Sequence, residues 1–180
     1  MSLARLAMGL PALAVTLVVG CGGVGAGDYV AYRIASEEGS ESGDCADDDP
    51  SSEHSSNLRS GATAVIYNAP EEDGEDALYL DLGGSVLPGG ENDDGTYTFS
   101  GETKDVQSVD PAGTTKVTQT VTITVDITFD GDYAYGLSTA KTKQSCSGNC
   151  TGFSDYNCTV KTDFVAVEVD PESVSFPLAD

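Results

Sequence analysis

Acidic residues cluster at four places in this chain, and clustered carboxylates are candidate ligands for calcium, which takes several hard oxygen ligands. The nearest approach to an EF-hand loop centres on Gly95, but Gly90 then occupies the first ligand position and Gly101 the last, so the pattern fails. Because aspartate–glycine pairs also form ordinary turns, we expect only weak divalent-cation binding, no metal ligand and no cofactor. The four clusters are residues 47–49, 71–76, 91–95 and 130–132.

His54 is the single histidine, and serines and a glutamate surround it in the sequence. A Ser-His-Asp relay needs a rigid scaffold to place its three groups, and a flexible acidic loop does not supply one. Paired carboxylates could also serve a glycosidase, but with 30 Asp and Glu residues chance proximity is common. We therefore predict no catalytic residue and no enzyme activity.

The first residues have the layout of an export signal: Arg5 gives a basic start and residues 6–19 are almost wholly apolar. The tetrapeptide Val-Val-Gly-Cys that ends at Cys21 resembles the lipobox of bacterial lipoproteins, in which the chain is cut before the cysteine and the cysteine is acylated. The resemblance implies a signal peptide over residues 1–20 and a lipidated Cys21 that starts a flexible tether over 21–27. The resemblance therefore also implies a membrane as a partner, to which the N-terminal lipid attaches the chain.

Four further cysteines follow in a chain that carries an export signal, where disulfides are usual. The spacing between the last three lacks the C-x2-C pairs of zinc sites, so we predict two disulfides rather than a metal cluster. Four cysteines allow three pairings, of which we favour Cys146 with Cys158 and Cys45 with Cys150.

The chain is strongly acidic, with 30 Asp and Glu against 8 Lys and Arg and a net charge of −22 at pH 7. Such a surface repels nucleic acid and anionic lipid headgroups and attracts cations and basic partners. The sequence shows no basic patch, no phosphate-binding loop and no dinucleotide fingerprint. We therefore exclude nucleic acid as a partner, while a protein or small-molecule partner stays unspecified.

Alternating apolar residues predict a series of short strands. Residues 36–60 interrupt the series, because serine, glycine and acidic residues dominate them, and we expect a long exposed loop there that contains Cys45. The predicted strands are residues 28–35, 62–67, 77–82, 96–100, 114–129, a return strand from Tyr133, 159–170 and a short edge strand at 173–176.

The clearest strand is 114–129, in which apolar residues and threonines alternate, so one face is buried and the other wet. Asp130 and Gly131 form a strong hairpin signal directly after it. Gly136 in the return strand suggests a bulge or bend. The return strand carries three large side chains on one face: Tyr133, Tyr135 and Leu137. The predicted core contains Val121, Ile123, Val125, Val165 and Val167.

Residues 28–180 are therefore expected to form one all-β domain, an antiparallel sandwich or barrel with two disulfides. Several motifs, among them Thr-Tyr-Thr-Phe-Ser-Gly and Cys-Ser-Gly-x-Cys, are similar to those of a group of small bacterial lipoproteins of unknown activity. The resemblance implies no catalytic residue. The motifs lie at residues 28–33, Cys45, 59–63, 96–101, 117–129, 146–150 and 164–170.

We expect a lipid-anchored, extracytoplasmic β domain that acts as a structural or binding module of the cell envelope. The residue directly after the anchor cysteine, Gly22, resembles what is found at that position in lipoproteins that are sorted to the outer membrane rather than to the inner one. The alternatives are a calcium-dependent adhesion or ligand-binding domain and, third, a hydrolase. A closed sheet with an apolar cavity would favour small-ligand binding, and converging carboxylates with perturbed pKa values would favour an enzyme.

Overall fold

The computed structural model of the protein describes residue 24 and residues 28–37, 39–45, 58, 60–70 and 76–174. No helix among them is long and apolar enough to cross a membrane. The predicted all-β fold is confirmed. The strands are β1 (Tyr29–Ser36), β2 (Ser40–Gly43), β3 (Thr63–Pro70), β4 (Asp76–Asp81), β5 (Val86–Glu91), β6 (Tyr97–Ser108), β7 (Lys116–Asp130), β8 (Tyr133–Ser147) and β9 (Tyr156–Val169), with one 3-10 turn at Pro171–Ser173.

The strands form one antiparallel sheet that closes on itself. Its order is β1-β3-β4-β5-β6-β7-β8-β9, and β9 pairs back with β1, so eight strands make a ring. The closure decides between the two predicted alternatives, because a sandwich would keep two separate sheets. Along the closed part every strand has a hydrogen-bonded neighbour on both sides, which removes the open edges that make sheets aggregate.

Strand β2 continues β1 along the same side of β9. Ser36 pairs with Phe164 and Ser40 with Lys161, so four steps along one strand match three along the other. One extra residue therefore forms a bulge between β1 and β2. The first part of the predicted loop 36–60 is thus a strand, and residues 46–57 lie outside the described part of the chain.

Alternate residues of the ring strands point inward and fill the ring. Phe99, Leu80 and Val125 are completely or almost completely buried. The Phe129 ring contacts two tyrosines, with its centroid 5.7 Å from that of Tyr32 and 5.1 Å from that of Tyr97. A cavity of about 10 Å³ remains, which is about the least space that holds one water molecule. The interior is therefore a packed core.

Gly136 lies where an inward-pointing ring packs directly on the backbone of β8. A Cβ at this position would stand 2.4 Å from the Phe164 ring and 2.4 Å from the carbonyl oxygen of Asp126. The register of β8 with β7 and β9 continues through Gly136 without an extra residue. The glycine therefore marks close packing and not the predicted bulge.

Strands β6 to β9 extend beyond the ring. Beyond residue 99, β6 pairs only with β7, and β2 pairs only with β9. The extension is an open five-stranded sheet in the order β6-β7-β8-β9-β2, which we call the projecting sheet. Its inner side holds a second small apolar cluster around Cys45, Cys158 and Val160. It consists of residues 40–43, 101–108, 116–124, 138–147 and 156–162.

The predicted core is correct on β7 and wrong on β9. Val125 is fully buried and Ile123 packs against the core, while Val121 is partly buried. Val165 and Val167 lie on the outer face, with exposed fractions of 43% and 39%. Both faces of β9 carry apolar residues, so alternation alone does not say which one is buried. The inward residues are Cys158, Val160, Thr162, Phe164 and Ala166.

Two further strand predictions differ from the structure. Strand β5 was not predicted, because Pro88 and the two glycines after it are typical of turns. Ser173 ends a 3-10 turn rather than starting a strand, and the last two residues of the predicted strand 173–176 lie outside the described residues.

Candidate functional site

The four cysteines form two disulfides as predicted, but the predicted pairing was wrong. Cys45 is bonded to Cys158 with 4.7 Å between Cα atoms, and Cys146 to Cys150 with 5.9 Å. Gly43 pairs with Cys158 across β2 and β9, so the chain after β2 brings Cys45 to that cysteine. The turn after β8 returns Cys150 to Cys146.

Several candidate site residues lie outside the described part of the chain: Cys21, His54 and the acidic clusters 47–49 and 71–75. The cluster 91–95 forms the β5–β6 turn, where the backbone N–H and hydroxyl of Thr96 donate to Asp94 and lower its pKa. Residues 130–132 form the β7–β8 turn. Among the described residues, no three His, Cys, Asp or Glu side chains are grouped closely enough to hold a metal ion.

Asp110 carries the largest carboxylate shift among the described residues. The side chain of Thr115 and then the backbone N–H of Thr114 donate to it and hold its pKa well below the ordinary value of 3.8, and the backbone N–H of Thr115 donates as well. The Thr114 hydroxyl also donates to Asp110, at 2.9 Å. These bonds close the β6–β7 turn, so the low pKa follows from the turn structure.

An exposed apolar surface lies on the outer face of β8 and β9. Tyr133 pairs with Val167 and Tyr135 with Val165, so the four side chains are contiguous. Their exposed fractions are 50%, 39%, 45% and 43% in that order. We call these four residues the apolar patch. Sequence reasoning missed it, because the large side chains of both strands were expected to point inward.

An open groove of about 600 Å³ adjoins the patch on the outer face of β6 to β9. Its floor is polar at one side: Asn92 donates to the Thr98 hydroxyl at 3.0 Å, and that hydroxyl donates to Asp126 at 2.7 Å. Asp126 and Asp163 both pair with Leu137, one from each side. The groove therefore places one carboxylate on each side of an apolar side chain.

Asp132 lies in the β7–β8 turn directly before Tyr133 of the patch, whereas Glu168 alternates along β9 with the inward residues Phe164 and Ala166 and its charge acts on the buried Tyr32. The Glu168 backbone N–H donates to the Asp132 carbonyl at 2.7 Å, which places the two acidic residues beside each other. Burial, followed by the charges of Glu168 and Asp132, raises the pKa of Tyr32 to about 12. An apolar surface with an acidic border is complementary to a partner that carries apolar and positively charged groups.

The lysines form a second charged surface, which corrects the expectation that no basic patch exists. All five lysines of the sequence are exposed, and all lie on the outer face of β6 to β9. All five lie within the projecting sheet, and we call the outer face of that sheet the lysine face. The five lysines lie on four strands, and only Lys141 and Lys143 share one, so they do not stand out in the sequence, because their neighbours across the sheet are distant in the chain. The five are Lys104, Lys116, Lys141, Lys143 and Lys161.

Comparison with known protein families, with curated proteins and with solved structures found no significant match. The chemistry of the molecule therefore has to be argued from its own residues. They define a closed antiparallel β domain with a filled interior and two distinct outer surfaces, one apolar with an acidic border and one rich in lysine and threonine.

Proposed function

We propose that the protein is a lipid-anchored, extracytoplasmic binding module of the cell envelope, and that it holds its partner through the apolar patch. The apolar N-terminal run and the lipobox that ends at Cys21 support the anchor. Gly22 supports outer-membrane rather than inner-membrane sorting. The two disulfides suit an oxidising compartment outside the cytoplasm.

The apolar patch is the observation that carries this proposal. Tyr133, Tyr135, Val165 and Val167 are contiguous and each is more than a third exposed. Clustered exposed apolar residues with a polar border are typical of interaction surfaces, and tyrosine is enriched among the residues that dominate binding energy. Because the ring interior is filled, the proposal places binding on the outside.

The acidic border argues for a partner with basic groups. Asp126, Asp163 and Asp132 stand around the patch and the groove beside it. A cation that approaches the tyrosine rings would also gain cation–π attraction. The proposal includes no catalytic step, because the carboxylates with lowered pKa values, Asp94 and Asp110, hold turns at opposite ends of β6.

A photo-reactive amino acid tests the binding surface in intact cells. We expect it to crosslink one defined partner when it replaces Tyr135, which is 45% exposed. The matched control replaces Val86, which is 50% exposed on β5. Val165→Lys should abolish the crosslink from position 135, since it adds a positive charge and removes apolar surface. Equal crosslinking from both positions, or none from either, would contradict the proposed surface.

The anchor has its own test. Cells that grow with a fatty-acid probe should label the wild-type chain and not Cys21→Ser, and the variant should leave the membrane fraction. Each buried methylene contributes roughly 0.8 kcal/mol, so two or more acyl chains hold a protein stably on a membrane. Equal labelling and retention of the variant would end the lipoprotein interpretation.

A further inference from the structure

The lysine face is assembled by the register of four strands. Thr120 pairs with Lys104 on one side and Lys143 on the other. Lys141 lies two residues from Lys143 on the same face, and Lys161 pairs with Thr139, again two residues from Lys141. Neighbouring strands are about 4.8 Å apart and alternate residues about 7 Å apart. The four lysine positions therefore share a surface of roughly 15 Å by 15 Å.

Charge on this face is opposite to that of the whole chain. On the outer face of the projecting sheet, Glu102 is the only acidic residue among the described strand positions. The Thr122 hydroxyl donates to it at 3.4 Å. Asp126 and Asp163 follow on the same outer face, just beyond the projecting sheet, so the five positive charges are concentrated on the projecting part of a chain whose net charge is −22.

Hydroxyl groups fill the positions between the lysines. Thr118, Thr120 and Thr122 alternate along β7 on this face, and Thr139 and Thr159 extend the set to β8 and β9. The hydroxyls of Thr120 and Thr139 make no hydrogen bond among the described residues, although the backbones of both pair within the sheet. Hydroxyls can both donate and accept, so the face offers positive charges and neutral hydrogen-bonding groups in alternation.

We propose that the lysine face binds an acidic polysaccharide, a chain of sugar units that carries carboxylate or phosphate groups. The ammonium groups would contact the negative charges, and the threonine hydroxyls the sugar hydroxyls between them. The lysines are exposed on the surface of a sheet, so the face suits an extended polymer rather than an enclosed ion. Its binding would be electrostatic and sensitive to salt, since lysine acts as a hydrated point charge.

Other polyanions fit this face less well. No aromatic side chain stands among its described strand positions, whereas proteins that bind single-stranded nucleic acid stack bases on aromatic rings. An anionic bilayer or a nucleic-acid duplex is broad and would bring its charge against Asp126 and Asp163, which adjoin the lysine face and repel it. A single sugar chain is narrow enough to contact the basic strip alone.

The lysine face lies far from the N-terminal end of the domain. Ala31 near the start of β1 pairs with Val169, whereas Lys161 lies eight positions earlier on β9, or about 26 Å along the strand. On β9, Lys161 lies on the same face as Val165 of the apolar patch, four positions or about 13 Å away, with Asp163 between them. The lysine face and the apolar patch share no residue, so this inference and the proposed partner surface can fail separately.

The experiment measures binding of the full chain, kept in a neutral detergent, to polygalacturonate at low ionic strength. Uncharged dextran is the negative control, and an oligo(dT) strand and phosphatidylglycerol vesicles are the competing polyanions. The test variant is Lys141→Gln with Lys143→Gln, and the matched control is Lys141→Arg with Lys143→Arg, which keeps both charges. Both positions are exposed on β8, so both variants should fold, and an unchanged melting temperature checks this.

We expect the wild-type chain and the arginine pair to bind polygalacturonate and not dextran. The glutamine pair should bind roughly tenfold more weakly, with a salt dependence shallower by about one to two charge contacts. Equal binding by the glutamine pair, or no binding by the wild type, would overturn the inference. Stronger binding to oligo(dT) or to the vesicles than to polygalacturonate would also overturn it, because the polymer class would then be wrong.

Discussion

The ring and the projecting sheet are made by the same long strands, yet they differ in what the strands bury. On β7, Val125 lies inside the ring and is fully buried, whereas Val117 and Val121 point to the same side in the projecting sheet and are only partly buried. The alternation of apolar and polar residues is the same in both regions. Closure of the sheet therefore decides how deeply an inward residue is buried.

The two regions also differ in their outer surfaces. The ring presents the apolar patch with its acidic border, and the projecting sheet presents the lysine face. The buried apolar contacts that stabilise the domain lie on the inner faces of the strands. The outer faces can therefore differ in their charged and apolar groups. The following predictions test this division.

Removal of the disulfide between Cys45 and Cys158 should have the largest effect on stability. It joins residues 113 positions apart, whereas the Cys146–Cys150 bond joins residues 4 apart. In the chain-entropy model, the first contributes about 4–5 kcal/mol and the second about 2 kcal/mol. Denaturant unfolding of the two double-serine variants measures the difference. Equal losses would show that the long-range bond contributes no more to stability than the short-range one.

The same substitution at two valines compares the inner and outer faces directly. Val125→Ala should lower the free energy of unfolding by about 1–3 kcal/mol, because it leaves space in a packed core. Val165→Ala, at an exposed position, should cost about 0.5 kcal/mol or less. Thr124→Ala on the outer face should also cost little. Chemical denaturation of the three variants measures these losses. A larger loss for Val165→Ala than for Val125→Ala would show that the face assignment of β9 is wrong.

Alkaline pH should destabilise the ring through Tyr32. Burial, Glu168 and Asp132 raise the pKa of its hydroxyl from 10.0 to about 12. A raised pKa in the folded state contributes stability that is fully present below pH 10 and is lost as the pH rises from 10 to about 12. Tyr32→Phe should show a smaller loss of melting temperature across this interval. An identical alkaline decline in both proteins would show that Tyr32 does not contribute.

Divalent cations should change the stability least, and the protein should not distinguish strongly between calcium and magnesium. Acidic side chains at the surface repel one another, so calcium and magnesium in the millimolar range should raise the melting temperature similarly, and the gain should shrink in high salt. A tight calcium site would instead saturate, with stabilisation growing logarithmically with free ion. Calorimetry that finds a stoichiometric, calcium-selective site would support the calcium-dependent alternative.

Local patterns predicted most of the strands. The alternation over 114–129 predicted β7, and Asp130-Gly131 predicted its turn into β8. Strand β5 escaped prediction because Pro88, Gly89 and Gly90 have low strand propensity, and the pairing of β5 with β4 and β6 overrides that local preference.

The apolar patch could not be predicted, because β8 and β9 offer apolar residues on both faces. The larger side chains of β8, which lie on the outer face, are Tyr133, Tyr135 and Leu137. The small side chain of Ala134 points inward instead, and Gly136 leaves space for the aromatic side chain of Phe164. A ring interior has limited space, and the aromatic residues of other strands already occupy it. Volume across the whole core therefore selects the small-residue face of β8.

The sequence by itself determined that the chain is an antiparallel β protein with two disulfides, since strand periodicity and cysteine number are local properties. The tertiary structure decided which cysteines meet, whether the sheet closes and where the lysines gather. Each of these depends on strand register, which brings together residues as distant in the chain as Cys45 and Cys158, or Lys104 and Lys143. Register is set by packing across the whole sheet, and no local stretch of sequence contains it.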